Sequence, residues 1–181
     1  MKEQNTIWTI GHSTHPEEDF IEMLRAYDIQ VLADVRRFPN SPRYPHFNQA
    51  HLNEKLNETG MQYVHFPDLG GRRNTRKDSK NVAWRVAAFR GYADYMETAE
   101  FVRAMQTLQL IGKEKRTAYM CAEAPWWRCH RSLISDYLKA AGWKVMHIMT
   151  RNKSEEHPFT KAATVIDGRL DYTGNRLKLD F

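Results

Sequence analysis

Residues 121–131 (CAEAPWWRCHR) bring several chemically capable side chains close together in the sequence. They include both cysteines of the chain, the carboxylate of Glu123, a histidine and two arginines. A cysteine can act as a nucleophile, a carboxylate can serve as a general acid or base, and an arginine can bind an anion. This stretch therefore predicts a site for covalent or acid–base chemistry on a negatively charged substrate.

The first half of the stretch offers two catalytic candidates. Cys121 and Glu123 are two residues apart, so in extended chain their side chains point to the same side. Cys121 is a candidate nucleophile, with the alternative that it is a small buried hydrophobic residue. Glu123 is a candidate acid or base, or a partner for a nearby arginine. Trp126 is either a hydrophobic plug or a stacking platform for a ring-shaped ligand.

The second half, Cys129-His130-Arg131, precedes a helical pattern and falls in its predicted first turn. The free N–H groups and the dipole there attract anions and lower the pKa of a thiol. This position favours either a reactive thiolate or an anion site, and Arg131 is its strongest candidate for anion binding. His130 lies on the apolar face of the helix, which favours a role in the core.

A metal site would need ligands from the same residues. Cys121, Cys129 and His130, with His12 or Glu123, are numerous enough for zinc. However, the sequence has no C-x-x-C or H-x-x-x-H pair, and the eight residues from one cysteine to the next are not a standard zinc spacing. We predict no metal and no cofactor from the sequence.

Composition places the chain in a broad class. Its 181 residues and 41% apolar content predict a single globular domain spanning residues 1–181. The formal charge of +5 favours anionic partners. We expect a cytoplasmic protein with no membrane partner, because we find neither a signal-peptide pattern nor a long apolar span. In that compartment the two cysteines are expected to be thiols.

The elements that must position these residues follow from hydrophobic periodicity. Five short apolar runs alternate with helical patterns, which predicts βαβ units and an α/β fold with a mainly parallel sheet of about five strands and flanking helices. A C-terminal β-hairpin is predicted around Asp167-Gly168. The predicted strands are residues 6–10, 30–35, 61–66, 117–121 and 144–148.

Parallel strands place their carboxyl ends at one edge of a sheet, where α/β proteins build their sites. His12 follows the first strand, where it could shuttle a proton or orient another group. Asp34 ends the second strand, where it could orient Arg36 or act as a general base. The polar, basic segment 72–81 is predicted to be a mobile loop or lid. The segments expected to share this edge are 11–13, 34–36, 69–71 and 121–123.

Several of these motifs together resemble the DUF488 family, named for a domain of unknown function. The resemblance extends over residues 6–148 and implies an α/β domain with its motifs at strand ends. It implies no established reaction. The matching segments are Thr9-Ile10-Gly11-His12-Ser13, Asp34-Val35-Arg36 with Pro39 and Ser41, Phe47, Leu69-Gly70-Gly71, residues 89–96, Met120-Cys121-Ala122-Glu123, Cys129-His130-Arg131 and Val145-Met146-His147-Ile148.

The leading functional hypothesis is an enzyme acting on a nucleotide, a nucleic-acid end or another phosphorylated molecule in a basic cleft. The alternative is a nucleic-acid-binding module without catalysis, in which basic loops contact phosphates and tryptophans stack on bases. The sequence does not define the oligomeric state. Candidate catalytic residues are Glu123, Cys121, Asp34 and His12, and candidate binding residues are Arg36, Ser41, Arg72, Arg73, Arg131 and Trp126.

Overall fold

The computed structural model describes residues 4–175 of the chain. They form a six-stranded sheet with helices packed against it and a separate two-stranded hairpin. The sheet strands are β1 (Thr6–Gly11), β2 (Val31–Asp34), β3 (Gln62–His65), β4 (Thr117–Cys121), β5 (Lys144–Thr150) and β6 (Lys153–Glu156). The α-helices are α1 (Glu17–Ala26), α2 (Gln49–Glu58), α3 (Ala87–Tyr95), α4 (Ala99–Glu114) and α5 (Arg131–Ala140). Short 3-10 helices span Pro45–Phe47, Pro67–Leu69 and Trp126–Arg128.

The strand order is β3-β2-β4-β1-β5-β6, and β1 to β5 pair in parallel. This confirms the predicted α/β class and mainly parallel sheet. The hairpin of β7 (Thr164–Ile166) and β8 (Arg169–Asp171) confirms the turn predicted at Asp167-Gly168. The antiparallel edge strand β6 was not predicted, because its sequence, KSEE, has none of the apolar alternation that marks a strand.

Successive strand residues face two hydrophobic cores. In β1, Ile7 belongs to the core that contains the apolar side chains of α3, α4 and α5, whereas Trp8 and Ile10 belong to the core shared with α1 and α2. The two-residue period of a strand thus divides the helices between the two faces of the sheet. Of the helices that the structure describes, none is long and apolar enough to cross a membrane.

The basic segment 72–81 is irregular, as predicted, but its second half is anchored to helix α3. The buried carboxylate of Asp94 accepts hydrogen bonds from the backbone N–H of Arg76 at 2.8 Å, the hydroxyl of Ser79 at 2.6 Å and the amide of Asn81 at 2.8 Å. The polar composition of the segment indicated mobility, because the sequence does not show that the buried carboxylate of Asp94 accepts its hydrogen bonds. The lid predicted from the sequence would therefore have to move without residues 76–81, or break these bonds.

A buried polar chain joins β5, α5 and the segment after β6. The carboxylate of Asp136 accepts a hydrogen bond from Nε2 of His157 at 2.9 Å, and Nδ1 of His157 lies 2.9 Å from Nε2 of His147. The Trp126 ring stacks on the His147 ring, with centroids 4.4 Å apart. Burial, together with the neighbouring His157 and the charge of Arg131, lowers the pKa of His147 from 6.5 to about 2.

This shift predicts a loss of stability in acid. Because the folded pKa of His147 is depressed, its contribution is complete above pH 6.5 and is lost as the pH falls toward 2. We expect His147→Gln to flatten the acid limb of the unfolding free energy by about 1.4 kcal/mol per pH unit below pH 6.5. Urea unfolding at several pH values measures the slope. The control His15→Gln removes a partly exposed histidine, and equal slopes in the two variants would contradict the assignment.

Candidate functional site

The carboxyl ends of β1, β2 and β4 meet at one edge of the sheet, as the sequence predicted. β4 lies between the other two, and Gly11 is in register with Cys121. The backbone N–H of His12 donates to the carbonyl of Cys121 at 2.9 Å, and that of Val35 donates to the carbonyl of Met120 at 2.9 Å. These bonds hold the first residues after each strand against β4.

A pocket of about 370 Å³ opens at this edge. Its wall includes four arginines, one carboxylate, both cysteines and a histidine. Four residues predicted from the sequence as site residues, Arg36, Arg72, Cys121 and Glu123, line it together. The full lining is Arg36, Arg37, Phe38, Asn40, Gly71, Arg72, Ala88, Phe89, Tyr92, Cys121, Ala122, Glu123, Arg128, Cys129 and His130.

Asp34 lies behind the pocket wall and holds Arg36. Its Oδ1 accepts from Nε of Arg36 at 2.9 Å, and its Oδ2 accepts from Nη2 of Arg36 at 2.6 Å and from the hydroxyl of Tyr63 at 2.6 Å. The carboxylate is fully buried, and both its oxygens are engaged. Of the two roles predicted for Asp34, this geometry supports the orientation of Arg36.

His12 supports the same arginine from β1. Its Nδ1 lies 2.9 Å from the carbonyl of Ser13, and its Nε2 lies 3.3 Å from Nη1 of Arg36. The ring therefore donates from Nδ1 and accepts at Nε2, which is the neutral form. Burial and the nearby Arg36 charge lower its pKa to about 4. Because the ring stacks on Phe47 with centroids 4.2 Å apart, the geometry supports orientation rather than proton shuttling.

Three of the pocket's arginines are not neutralised by protein carboxylates. Within residues 4–175, Arg37, Arg72 and Arg128 form no salt bridge. Arg37 donates to the carbonyl of Arg72 at 3.1 Å, which ties two loops of the rim together. The exposed side chain of Glu123 is the only carboxylate in the described lining. The described lining thus contains four arginines and one carboxylate.

The two cysteines form a cluster with His130. Their Sγ atoms and a ring nitrogen of His130 all lie within 4.8 Å of one another, and Nδ1 lies 3.5 Å from Sγ of Cys129. Burial raises the pKa of the Cys121 thiol well above its usual value. Burial also acts to raise the pKa of Cys129, but a hydrogen bond with Cys121 and the Arg131 charge lower it to about 7. The two thiols thus differ in acidity.

Arg131 lies behind the cluster, 1% exposed, and does not line the pocket. Its guanidinium donates to Thr9 Oγ1 at 2.9 Å and to the backbone carbonyls of Glu123 and Ala124. Within the described chain it has no carboxylate partner, and the acidic groups beside its buried charge are Cys121, Cys129 and Tyr119. Arg131 was predicted to bind an anionic ligand, whereas its contacts make it a positioning residue for the Glu123 backbone.

The structure places the three remaining predicted residues away from the pocket lining. Arg73 lies over the Tyr95 ring, 3.6 Å from its centroid, and donates to a backbone carbonyl. The backbone N–H of Ser41 donates to Asn48 Oδ1 at 2.6 Å. Trp126 packs on a buried histidine, in agreement with the plug alternative.

Some lining residues were missed in the sequence. Arg37 and Arg128 stood out as basic but not as site residues, since a lone arginine is usually a solvated surface group. Phe89 and Tyr92 carry a helical spacing that is typical of core residues, and both also reach the pocket. Asn40 lies between two prolines in a loop, where periodicity gives no signal.

Comparison with known proteins gives a family match alone. The model of a family described as "Domain of unknown function DUF488" matches residues 17–138, more than half of the chain. The matched region contains strands β2 to β4, both cysteines and Glu123. No curated protein and no solved structure matched the sequence.

Proposed function

The chain belongs to the DUF488 family, and we propose that it is an enzyme acting on an anionic substrate in the pocket at the carboxyl edge of its sheet. The single observation that carries this proposal is the presence, around one concave site, of three arginines that have no carboxylate partner among residues 4–175. Like charges placed close together repel, and a phosphate between them relieves the repulsion and accepts charge-assisted hydrogen bonds.

The aromatic part of the lining favours a nucleotide or a nucleic-acid end over a simple phosphate. Phe38 is 65% exposed and lines the pocket, and the Arg37 guanidinium lies 5.5 Å from its ring centroid. An exposed ring of this kind can stack on a base, which contributes about 1–3 kcal/mol per base. In this arrangement Arg72 and Arg128 would bind the phosphate of a nucleotide, and the Phe38 ring would stack on its base.

The chemistry is assigned to the pocket residues other than the arginines. Glu123 is the proposed general acid or base, because its carboxylate is exposed in the pocket. Cys121, the nucleophile predicted from the sequence, lines the same pocket, but burial raises the pKa of its thiol, so Glu123 is the group to which the proposal assigns the chemistry. Asp34 and His12 position Arg36, whose five N–H groups include one on Nη1 that is not engaged in these contacts.

Binding of adenosine monophosphate tests the anion site. We expect Arg128→Gln and Arg72→Gln each to weaken its binding roughly 10- to 100-fold, because each removes a charged hydrogen-bond donor contributing about 1.5–3 kcal/mol. The matched control is Arg103→Gln on the exposed surface of α4, which is expected to leave the affinity unchanged. Titration calorimetry at low salt measures all four proteins. Equal affinities for the wild type and both pocket variants would exclude the site.

Catalysis is tested with Glu123→Gln on a panel of mononucleotides and short 5′-phosphorylated oligonucleotides, with products followed by mass spectrometry. We expect any turnover shown by the wild type to fall by at least about 100-fold while binding persists. Salt-dependent binding of oligonucleotides with no turnover would instead favour the non-catalytic nucleic-acid-binding alternative, for which the exposed Phe38 is also suited.

A further inference from the structure

We propose that Cys121, Cys129 and His130 form a binding site for one zinc ion. Two Sγ atoms and one ring nitrogen of His130 lie within 4.8 Å of one another, and they come from the end of β4 and the two residues that precede α5. Thiolate and imidazole are the ligands that zinc prefers, and three protein ligands are typical of catalytic zinc sites.

The observed spacing is close to that of a loaded site. Zinc binds sulfur at about 2.3 Å and nitrogen at about 2.0–2.1 Å, so tetrahedral geometry separates these two ligand atoms by roughly 3.5 Å. The distance from Cys129 Sγ to His130 Nδ1 is 3.5 Å. Zinc binding would thus require little movement of Cys129 and His130. The Sγ atom of Cys121 is the third ligand of the proposed tetrahedral site.

The atoms around the cluster already provide the outer contacts of a metal site. Nε2 of His130 donates to the carbonyl of Val35 at 3.0 Å, which fixes the ring and leaves the Nδ1 lone pair directed at the sulfur atoms. Histidine ligands of metals characteristically donate their other N–H in this way. The backbone N–H of Arg131 lies 3.5 Å from Cys129 Sγ, where it can donate to that sulfur and hold its position.

The cluster is accessible from the pocket. A Cβ on Gly71 would lie 3.0 Å from Nδ1 of His130, so the absence of a side chain there keeps this atom open. Both cysteines, His130 and Gly71 line the pocket together with Glu123. The fourth zinc position is then left for a water or a substrate oxygen. The proposal that zinc binds here does not depend on the proposed function, whereas a catalytic role for the metal rests on it.

The test is titration of the reduced protein, kept in a non-thiol reductant, with Co²⁺ and then Zn²⁺. We expect one ion per chain, with the sulfur-to-cobalt charge-transfer and tetrahedral ligand-field bands that report two thiolates, and displacement of Co²⁺ by Zn²⁺. Cys121→Ser, Cys129→Ser and His130→Gln should each weaken binding by more than about 100-fold, since even loss of an outer contact costs about 10- to 100-fold. The matched control is His65→Gln, which removes a histidine bonded to the carbonyl of Arg36 outside the cluster.

Circular dichroism establishes that each variant is folded. If a variant is not, the wild type is tested by alkylation, in which Zn²⁺ should protect both cysteines from iodoacetamide. Absence of a tetrahedral cobalt spectrum, unchanged affinity in any folded ligand variant, or unprotected cysteines would overturn the proposal. Arg128→Gln should bind zinc normally and metal-free protein should still bind adenosine monophosphate, so failure of either proposal is recognised separately.

Discussion

Replacing Asp34 with asparagine is expected to destabilise the protein by about 3–5 kcal/mol. The substitution leaves the buried guanidinium of Arg36 without a counter-charge and turns amide N–H groups toward the donors of Arg36 and Tyr63. Stabilities of natural domains are about 5–15 kcal/mol, so the loss is a large part of the total. For a chain of this length the melting temperature should fall by roughly 10 °C, as measured by calorimetry.

Two comparisons isolate the buried charge as the cause. Asp19→Asn removes the same kind of carboxylate from an exposed pair with Arg151, 2.8 Å apart, and should cost at most about 1 kcal/mol. The double variant Asp34→Leu/Arg36→Met removes both charges and should be more stable than Asp34→Asn alone. A double variant that is no more stable than Asp34→Asn would contradict this explanation.

Replacing Gly11 with alanine is expected to cost about 3 kcal/mol or more and to disorder the pocket wall. A Cβ at this position would lie 2.0 Å from the carbonyl oxygen of Glu123 and 2.8 Å from Nη2 of Arg131. The nearest obstacle is backbone, which cannot rotate away as a side chain can. Insertion of a methylene into a packed site typically costs 1–3 kcal/mol, and a clash with backbone places this substitution at the upper end or above.

Gly142→Ala is the matched control, because the added Cβ would have no neighbour within 4 Å among the described residues, apart from position 142 itself and the residues next to it in the chain. Its positive φ of 88° makes alanine cost about 1–2 kcal/mol without any clash. Urea unfolding of the two variants compares them directly. If Gly11→Ala is destabilised no more than Gly142→Ala, the close approach of the Glu123 carbonyl to residue 11 does not require glycine there.

The sheet was predictable because its interior strands are almost wholly apolar. The five residues of β4 are all buried and carry the strand signal without help from the rest of the chain. The order of the strands was not predictable, because the same βαβ pattern suits several arrangements. The polar strand β6 forms through antiparallel pairing with the edge of β5, and the sequence of β6 alone does not show that pairing.

The sequence predicted that the candidate site lies at the carboxyl edge of the sheet, but it did not predict which side chains contact each other there. Strand ends identified Arg36 and Glu123 as pocket residues, since parallel strands align their carboxyl ends. Spacing along the sequence could not show that Cys121 lies beside Cys129, because the loop between them folds back to bring the start of α5 over the end of β4. Arg131 was chosen for its charge, whereas its burial depends on Gly11, which is distant in the sequence.

The position of β4 in the sheet has a consequence for how the protein folds. β1 and β2 do not pair with each other, and each pairs with β4, which is made much later in synthesis. Contacts such as that between Thr9 and Arg131 therefore close a loop of 122 residues. Such long-range parallel pairing slows folding, because the entropy of closing the loop is lost before the contacts form. The early strands thus leave the ribosome with their central partner still missing, and the pocket cannot form until the residues that line it, up to His130, have been made.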